Sequence, residues 1–159
     1  MSADGQYIAV CGEYGDLVVY DSNDNYSFSY NSIGRCNSVA ISPDGEHIAY
    51  YKFNESAVKE FSMNLFKGGL YPTQEVFKYP KAGEDNSVVK VYFYNLTANK
   101  STYIYTEKDY EYIPRIKWTN NPKVLVLYGM NRHQNELDFV LANAEDGTNK
   151  ILFTEKDKY

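Results

Sequence analysis

The feature that most restricts this chain is an internal repeat. Ser2-Ala3-Asp4-Gly5-Gln6-Tyr7-Ile8-Ala9 returns forty positions later as Ser42-Pro43-Asp44-Gly45-Glu46-His47-Ile48-Ala49. A degenerate third copy runs Trp118-Thr119-Asn120-Asn121-Pro122-Lys123-Val124-Leu125. Each copy sets a Pro/Asp/Asn/Gly turn directly before a β-branched or aromatic run, which is how a tight hairpin is written. A second matching piece follows, a strand closing in a polar turn: Leu17–Asn23, Val91–Thr97 and Phe139–Gly147. The unit reads strand, tight turn, strand, loop, strand, polar turn, strand. Four antiparallel strands in about 40 residues make a β-propeller blade.

The expected fold is therefore all-β: an incomplete β-propeller of about two to three four-stranded antiparallel blades. Residues 1–34 read as a remnant of blade one, 35–106 as blade two and 107–159 as blade three. Blade one lacks its innermost strand on this reading, because the chain opens at the turn. Blade two is swollen by an insertion from about Asn54 to Asp85. Helical periodicity is nearly absent. In Glu55–Phe66 the apolar Val58, Phe61, Met63 and Leu65 alternate as well as they turn, so a loop or short helical turn is expected there. The aromatic content, 17 Tyr, 8 Phe and 1 Trp, suits pleated, half-buried surfaces better than helix faces.

Closed propellers take at least four blades, and fewer than three leave two unpaired sheet edges that natural proteins avoid. Either the chain is a piece of a longer protein, which an opening inside a blade favours, or it self-associates through its open blade edges. Val39, Ile41, Val124, Leu125 and Val126 are the apolar residues that would need neighbours on both sides. Sixteen basic against 21 acidic residues give a net charge of -5, which argues against tracking a nucleic-acid backbone. The longest apolar run, Val124–Tyr128, is far short of the ~20 residues of a membrane helix, and no secretory signal opens the chain. Cys11 and Cys36 make no disulfide framework and are expected as two buried or half-buried thiols, with a pairing as the alternative. With two histidines and no CxxC or HExxH spacing, no metal or cofactor site is expected.

The middle of the chain is more specific than its blade count. After the Ser42-Pro43-Asp44-Gly45 turn comes a strand ending Phe53-Asn54-Glu55-Ser56, then Glu60-Phe61-Ser62, then Tyr79-Pro80-Lys81-Ala82-Gly83 with Asn86, then Val89-Lys90-Val91-Tyr92. Ile113–Trp118 and Asn131-Arg132-His133-Gln134-Asn135 continue the pattern. From Ser38 onward this closely resembles the N-terminal propeller domain of the dipeptidyl peptidase IV family, serine peptidases of the prolyl oligopeptidase clan. The resemblance implies a parent that cleaves dipeptides or tripeptides after proline from peptide N-termini and is exported, whether periplasmic, extracellular or membrane-anchored. Its C-terminal α/β-hydrolase domain would carry the Ser-Asp-His triad, while the propeller gates and orients the peptide substrate. A stand-alone, non-catalytic β-sheet module that binds peptide or protein is the alternative.

The departures from that family's pattern matter as much. The chain has no GxSxG elbow; Gly34-Arg35-Cys36-Asn37-Ser38 lacks the central serine and the second glycine. The family anchors the substrate amine with adjacent glutamates ahead of the SPDG strand, and Asp21–Arg35 contains none. No catalytic, cofactor-binding or metal residue is assigned within 1–159, no substrate-binding residue is identified, and the chain alone is expected to be inactive. Glu55 and Glu60 are weighed as stand-in amine-binding carboxylates, against being solvated or paired with nearby Lys52 and Lys59. His133 has no identifiable nucleophile, and Arg115 and Trp118 read as core-and-edge patterning. Gly68-Gly69 reads as a turn, and Tyr103, Tyr105, Tyr110 and Tyr112 as packing between blades rather than a stacking site. The sequons at Asn25, Asn54, Asn95 and Asn99 carry no weight in turn-rich sequence.

Overall fold

A hydroxyl at the head of each repeat explains why the same turn recurs. Ser42 Oγ accepts the His47 N–H at 2.9 Å, and the Ser42 N–H donates to the His47 carbonyl at 2.8 Å. Asp44 accepts both the Ser42 hydroxyl and the Glu46 amide. Gly45 completes the reversal at φ +76°, a conformation that a side chain would resist. Ser2 binds Tyr7 in the same two ways, at 2.9 and 2.8 Å. In the degenerate copy Thr119 donates to the Val124 carbonyl at 3.0 Å, and Asn121 does for Lys123 what Asp44 does for Glu46. The repeat therefore encodes a register: the strand begins five residues after the hydroxyl.

The computed structural model describes residues 2, 5–11, 17–21, 26–30 and 38–158, with 26–30 described as backbone only. Among these residues every regular element is a strand. In chain order, β1 (Tyr7–Cys11), β2 (Leu17–Asp21) and β3 (Tyr26–Tyr30) form a three-stranded sheet. Then come β4 (Val39–Ile41), β5 (His47–Asn54), β6 (Glu60–Leu65), β7 (Thr73–Lys78), β8 (Val88–Asn95) and β9 (Lys100–Tyr103). Of these, β4-β5-β8-β9 make a four-stranded sheet, whereas β6 and β7 pair only with each other. β10 (Tyr112–Trp118), β11 (Val124–Met130), β12 (Glu136–Asn143) and β13 (Asn149–Lys156) form the last sheet in simple meander order. The architecture is that of an incomplete propeller, as the repeat predicts.

Alternation along the strands decides which face each sheet offers its neighbour. Tyr7, Ala9 and Cys11 of β1, with Leu17 and Val19 of β2, pack against Ile48, Tyr50 and Tyr94 of the middle sheet. The opposite face of the middle sheet, Ala49, Tyr51, Val91 and Phe93, packs against Leu125, Leu127, Val140 and Ala142 of the last. β5 is consequently buried from His47 to Tyr51 on both faces, while β11 alternates half-buried and buried. Each fully buried Leu, Ile, Val or Phe contributes about 1.5–3 kcal/mol of burial, so these two clusters hold the sheets together. Trp118 closes the second junction: its Nε1–H donates to the Ala40 carbonyl at 3.0 Å, and its ring tilts over Phe93 at 5.5 Å.

The insertion departs from expectation. Asn54–Val88 is a compact unit of its own. Glu60–Leu65, expected as a loop or short helical turn, is strand β6, paired antiparallel with β7 from Glu60↔Lys78 to Leu65↔Thr73. The physical reason is a partner that its own periodicity does not reveal. Phe61 meets Phe77 edge-on at 6.0 Å, Tyr79 joins both rings, and the Lys81 ammonium lies 5.3 Å over Phe61. Gly68-Gly69 lies in the connection between the two strands, as expected of a turn; Gly68 has φ +81°.

Candidate functional site

The motifs that distinguish the sequence turn out to be turn chemistry. In Tyr79–Gly83 the Lys81 carbonyl accepts the Glu84 N–H at 3.0 Å, and Gly83 adopts φ +83°. In the Asn131–Asn135 turn between β11 and β12, Asn131 Oδ1 accepts the amides of Asn135 and Glu136 at 3.1 and 3.2 Å. Gln134 takes the left-handed conformation at φ +58°. His133 is exposed at this turn, and Arg132 pairs with Glu111 at 3.1 Å.

The most developed polar centre is one that sequence reasoning missed. Asp138 on β12 is fully buried, yet its Oδ2 accepts Lys108 Nζ at 2.7 Å and the Tyr110 hydroxyl at 2.9 Å. The Thr154 hydroxyl of β13 donates to Oδ1. Glu136 takes Lys108 on one oxygen at 2.7 Å and Lys156 on the other at 3.1 Å. Burial pushes the Asp138 carboxyl up, but the hydrogen bonds from Lys108, Thr154 and Tyr110 outweigh it and hold the group below its ordinary value. The same bond to Asp138 raises the Lys108 ammonium. Burial, then the bond to Asp138, raises the Tyr110 phenol. Lys108 and Tyr110 lie between β9 and β10, so the network ties that crossing to the last blade. The Tyr110 ring also fills the space over Gly129, where a Cβ would lie 2.6 Å from ring carbons.

A second cluster sits at the repeat turn. Asp44, Glu46 and a ring nitrogen of His47 lie within 4.8 Å of one another, a set with metal-ligand chemistry. Asn95 orients the imidazole. Asn95 Oδ1 accepts the Ala98 N–H at 2.7 Å, so its NH2 faces His47 Nε2 at 3.0 Å and that nitrogen is an acceptor. The ring proton then belongs on Nδ1. Nε2 is thus engaged by Asn95, while Nδ1 is buried with no hydrogen-bond partner.

The other sequence candidates are dispersed. Glu60 pairs with Lys78 at 3.9 Å, and Lys59 with Glu84 at 2.5 Å, so neither makes the local pair anticipated. Glu55, half-buried, accepts from Ser87 at 3.4 Å. Arg115 is exposed and Trp118 half-buried in the core. Tyr110 packs between blades as expected, but the Tyr103 ring meets that of Tyr92, tilted, at 5.2 Å within its own blade, and Tyr105 is 74% exposed. Asn54 and Asn99 are exposed, while Asn95 is half-buried against His47. Cys11 is disulfide-bonded, which corrects the expectation of a free thiol there; Cys36 lies outside the described residues. Of Asp21–Arg35, where the amine-anchoring glutamates were sought, only Asp21 and the backbone of 26–30 are described. A hollow of about 340 Å³ opens on the last sheet, lined by Val124, Leu141, Asn143, Thr148, Asn149 and Lys150.

Residues 20–159 match the family model described as the dipeptidyl peptidase IV (DPP IV) N-terminal region. "Inactive dipeptidyl peptidase 10" of Mus musculus is 36% identical over 112 residues, covering 67% of this chain and 14% of that protein. "Probable dipeptidyl-aminopeptidase B" of Aspergillus clavatus is 32% identical over 129 residues, covering 72% of this chain and 14% of that protein. The crystal structure of Porphyromonas gingivalis dipeptidyl peptidase 4 superposes on 99% of this chain with a TM-score of 0.86 at 26% identity. The chain spans 25% of that structure, and only about a seventh of the curated relatives' length.

Proposed function

This chain belongs to the family of dipeptidyl peptidase IV N-terminal regions, and from that membership we propose that it is the non-catalytic propeller part of a serine peptidase that cleaves N-terminal dipeptides or tripeptides after proline. Its task is to gate and orient the peptide for a C-terminal α/β-hydrolase domain. The observation that carries this reading is the superposition on Porphyromonas gingivalis dipeptidyl peptidase 4 over 99% of the chain but a quarter of that structure. We read the chain as a remnant of blade one (1–34), blade two with its insertion (35–106) and blade three (107–159), the β6–β7 pair belonging to the insertion. The polar centres agree with the role: the Asp138 network and the His47 turn are inward-bonded and hold loops, and neither offers a nucleophile next to a base. Asp21–Arg35 has no glutamate, so the chain's part is orientation rather than selection of a free amine. The disulfide at Cys11 supports an exported parent, since such bonds persist in oxidising compartments. Among the described residues no helix is long and apolar enough to cross a membrane.

Assay of the chain with chromogenic Gly-Pro and Ala-Pro substrates tests the reading. No turnover above a mock-preparation blank is expected. Turnover that a substitution within 1–159 abolishes would overturn it. The similarity to a relative named an inactive dipeptidyl peptidase favours one second reading, a module that binds peptide or protein without hydrolysis. Saturable binding of proline-containing peptides by the chain alone would support that second reading.

A further inference from the structure

One buried nitrogen at the second repeat turn has no bond that accounts for it. His47 is 3% exposed, and its Nδ1 is the one buried side-chain polar atom without a hydrogen-bond partner among the described residues. Such an orphan in a natural core calls for an explanation, and a bound ion is one. The neighbours of the ring supply the rest. A ring nitrogen of His47 and one carboxylate oxygen each from Asp44 and Glu46 fall within 4.8 Å of one another.

Both carboxylates are available. Burial pushes the Asp44 carboxyl up, but the Ser42 hydroxyl and the Glu46 amide outweigh it and keep the group ionised. Those two bonds also hold the Asp44 side chain in the turn. Glu46 is exposed. Lys123 lies within electrostatic reach of both carboxylates, but it is paired with Glu145 at 2.5 Å. All three donors come from four consecutive positions of one turn, a spacing unlike the CxxC and HExxH patterns.

We propose that Asp44, Glu46 and Nδ1 of His47 bind a divalent cation, Zn2+ by its donor set, with water completing the shell. One imidazole and two carboxylates are zinc ligands, and three protein ligands make an open site. Donors about 2.1 Å from a tetrahedral ion stand about 3.4 Å apart, so the exposed carboxylates close in by roughly 1 Å. Asn95 sets the condition for binding. A neutral imidazole that ligates through Nδ1 carries its proton on Nε2, which turns from acceptor to donor. The Nδ1 proton goes to water, Nε2 takes one up, and the ring stays neutral. The Asn95 amide then presents its oxygen to the ring, giving up the Ala98 N–H that this oxygen accepts at 2.7 Å. Asn95 becomes the group that orients the ligating ring. This site goes beyond the role in handling peptide and does not rest on it.

Calorimetric titration of the 159-residue chain with ZnCl2 tests the proposal. Wild type is expected to bind one Zn2+ saturably. Glu46→Gln neutralises an exposed side chain, and Asp44→Asn keeps an acceptor oxygen in the turn; each should weaken binding by about tenfold or more. Asn95→Asp gives the sharper result. A carboxylate accepts the Nε2–H and the Ala98 N–H together, so N95D should tighten Zn2+ by about threefold or more. His47→Gln should erase that gain, and His133→Gln, on an exposed turn, should change nothing. A wild type without saturable 1:1 binding, an affinity that E46Q or D44N leaves intact, a loss in H133Q, or an N95D gain that survives H47Q would each overturn the proposal. Every variant must keep the wild-type circular dichroism and a cooperative melt. If H47Q fails this control, imidazole 15N spectra of the wild type replace it: Zn2+ must shift Nδ1 of His47 and leave Nε2 protonated, and an unmoved Nδ1 refutes the site.

Discussion

Replacing Asp138 with alanine removes one acceptor from three donors, and the structure says how unequal the three losses are. Lys108 is 45% exposed and keeps Glu136 at 2.7 Å, so water and Glu136 offset most of its loss. The Tyr110 and Thr154 hydroxyls are oriented on the buried carboxylate and lose their acceptor outright. A buried donor without an acceptor costs about 1–3 kcal/mol, so D138A is expected to lose about 3 kcal/mol at pH 7. For a chain of this length that is a fall in Tm of roughly 6–12 °C. Lys108→Met leaves the carboxylate two donors and should cost about 1 kcal/mol. Because the folded-state carboxyl is held below its ordinary value, its contribution is present above the unfolded pKa of about 3.9. The contribution is lost as pH falls through the lower folded value. The gap between the thermal melts of wild type and D138A should therefore narrow as pH falls below about 4. A D138A within about 0.5 kcal/mol of wild type at pH 7, or a gap that stays constant on acidification, would refute the account.

Gly129→Ala drives a Cβ into the Tyr110 ring and should cost about 1–3 kcal/mol by urea denaturation; the combination with Tyr110→Ala should be less than additive, and full additivity would show that the clash is not the cause. Ser42→Ala removes the oxygen that fixes the His47 amide and should destabilise by about 1 kcal/mol with faster hydrogen exchange at that amide, whereas unchanged exchange would mean that the backbone alone sets the turn.

The register of the fold was legible because a hydroxyl and a following β-strand are local, and Ser2, Ser42 and Thr119 each sit five residues before a strand start. The β6–β7 hairpin was not, since Phe61, Met63 and Leu65 become a strand only through Phe77 and Glu75, on the far side of a Gly-Gly connection. The Asp138 centre left no trace either: Lys108 and Tyr110 lie 30 and 28 positions away, and Asp138 alternates with Leu137 and Phe139 like any solvent-facing residue of a strand. The disulfide at Cys11 was open for a similar reason, because spacing alone does not set the distance between two cysteines.

β5 and β8 are neighbours in one sheet, yet the hairpin unit lies between them in sequence. The ends of that excursion are held by the ladder itself, with Phe53 and Val89 on the same cluster. Chain added there does not alter strand order, and the entropy of a flexible connection grows only logarithmically, by about 0.6 kcal/mol for each doubling of its length. The gap between Asn54 and Val88 is thus a place where this scaffold can lengthen, shorten or exchange an appendage while its registers stay fixed. Variation among relatives, or grafting by design, is expected to concentrate there and to be excluded from the five-residue frames of the repeat turns.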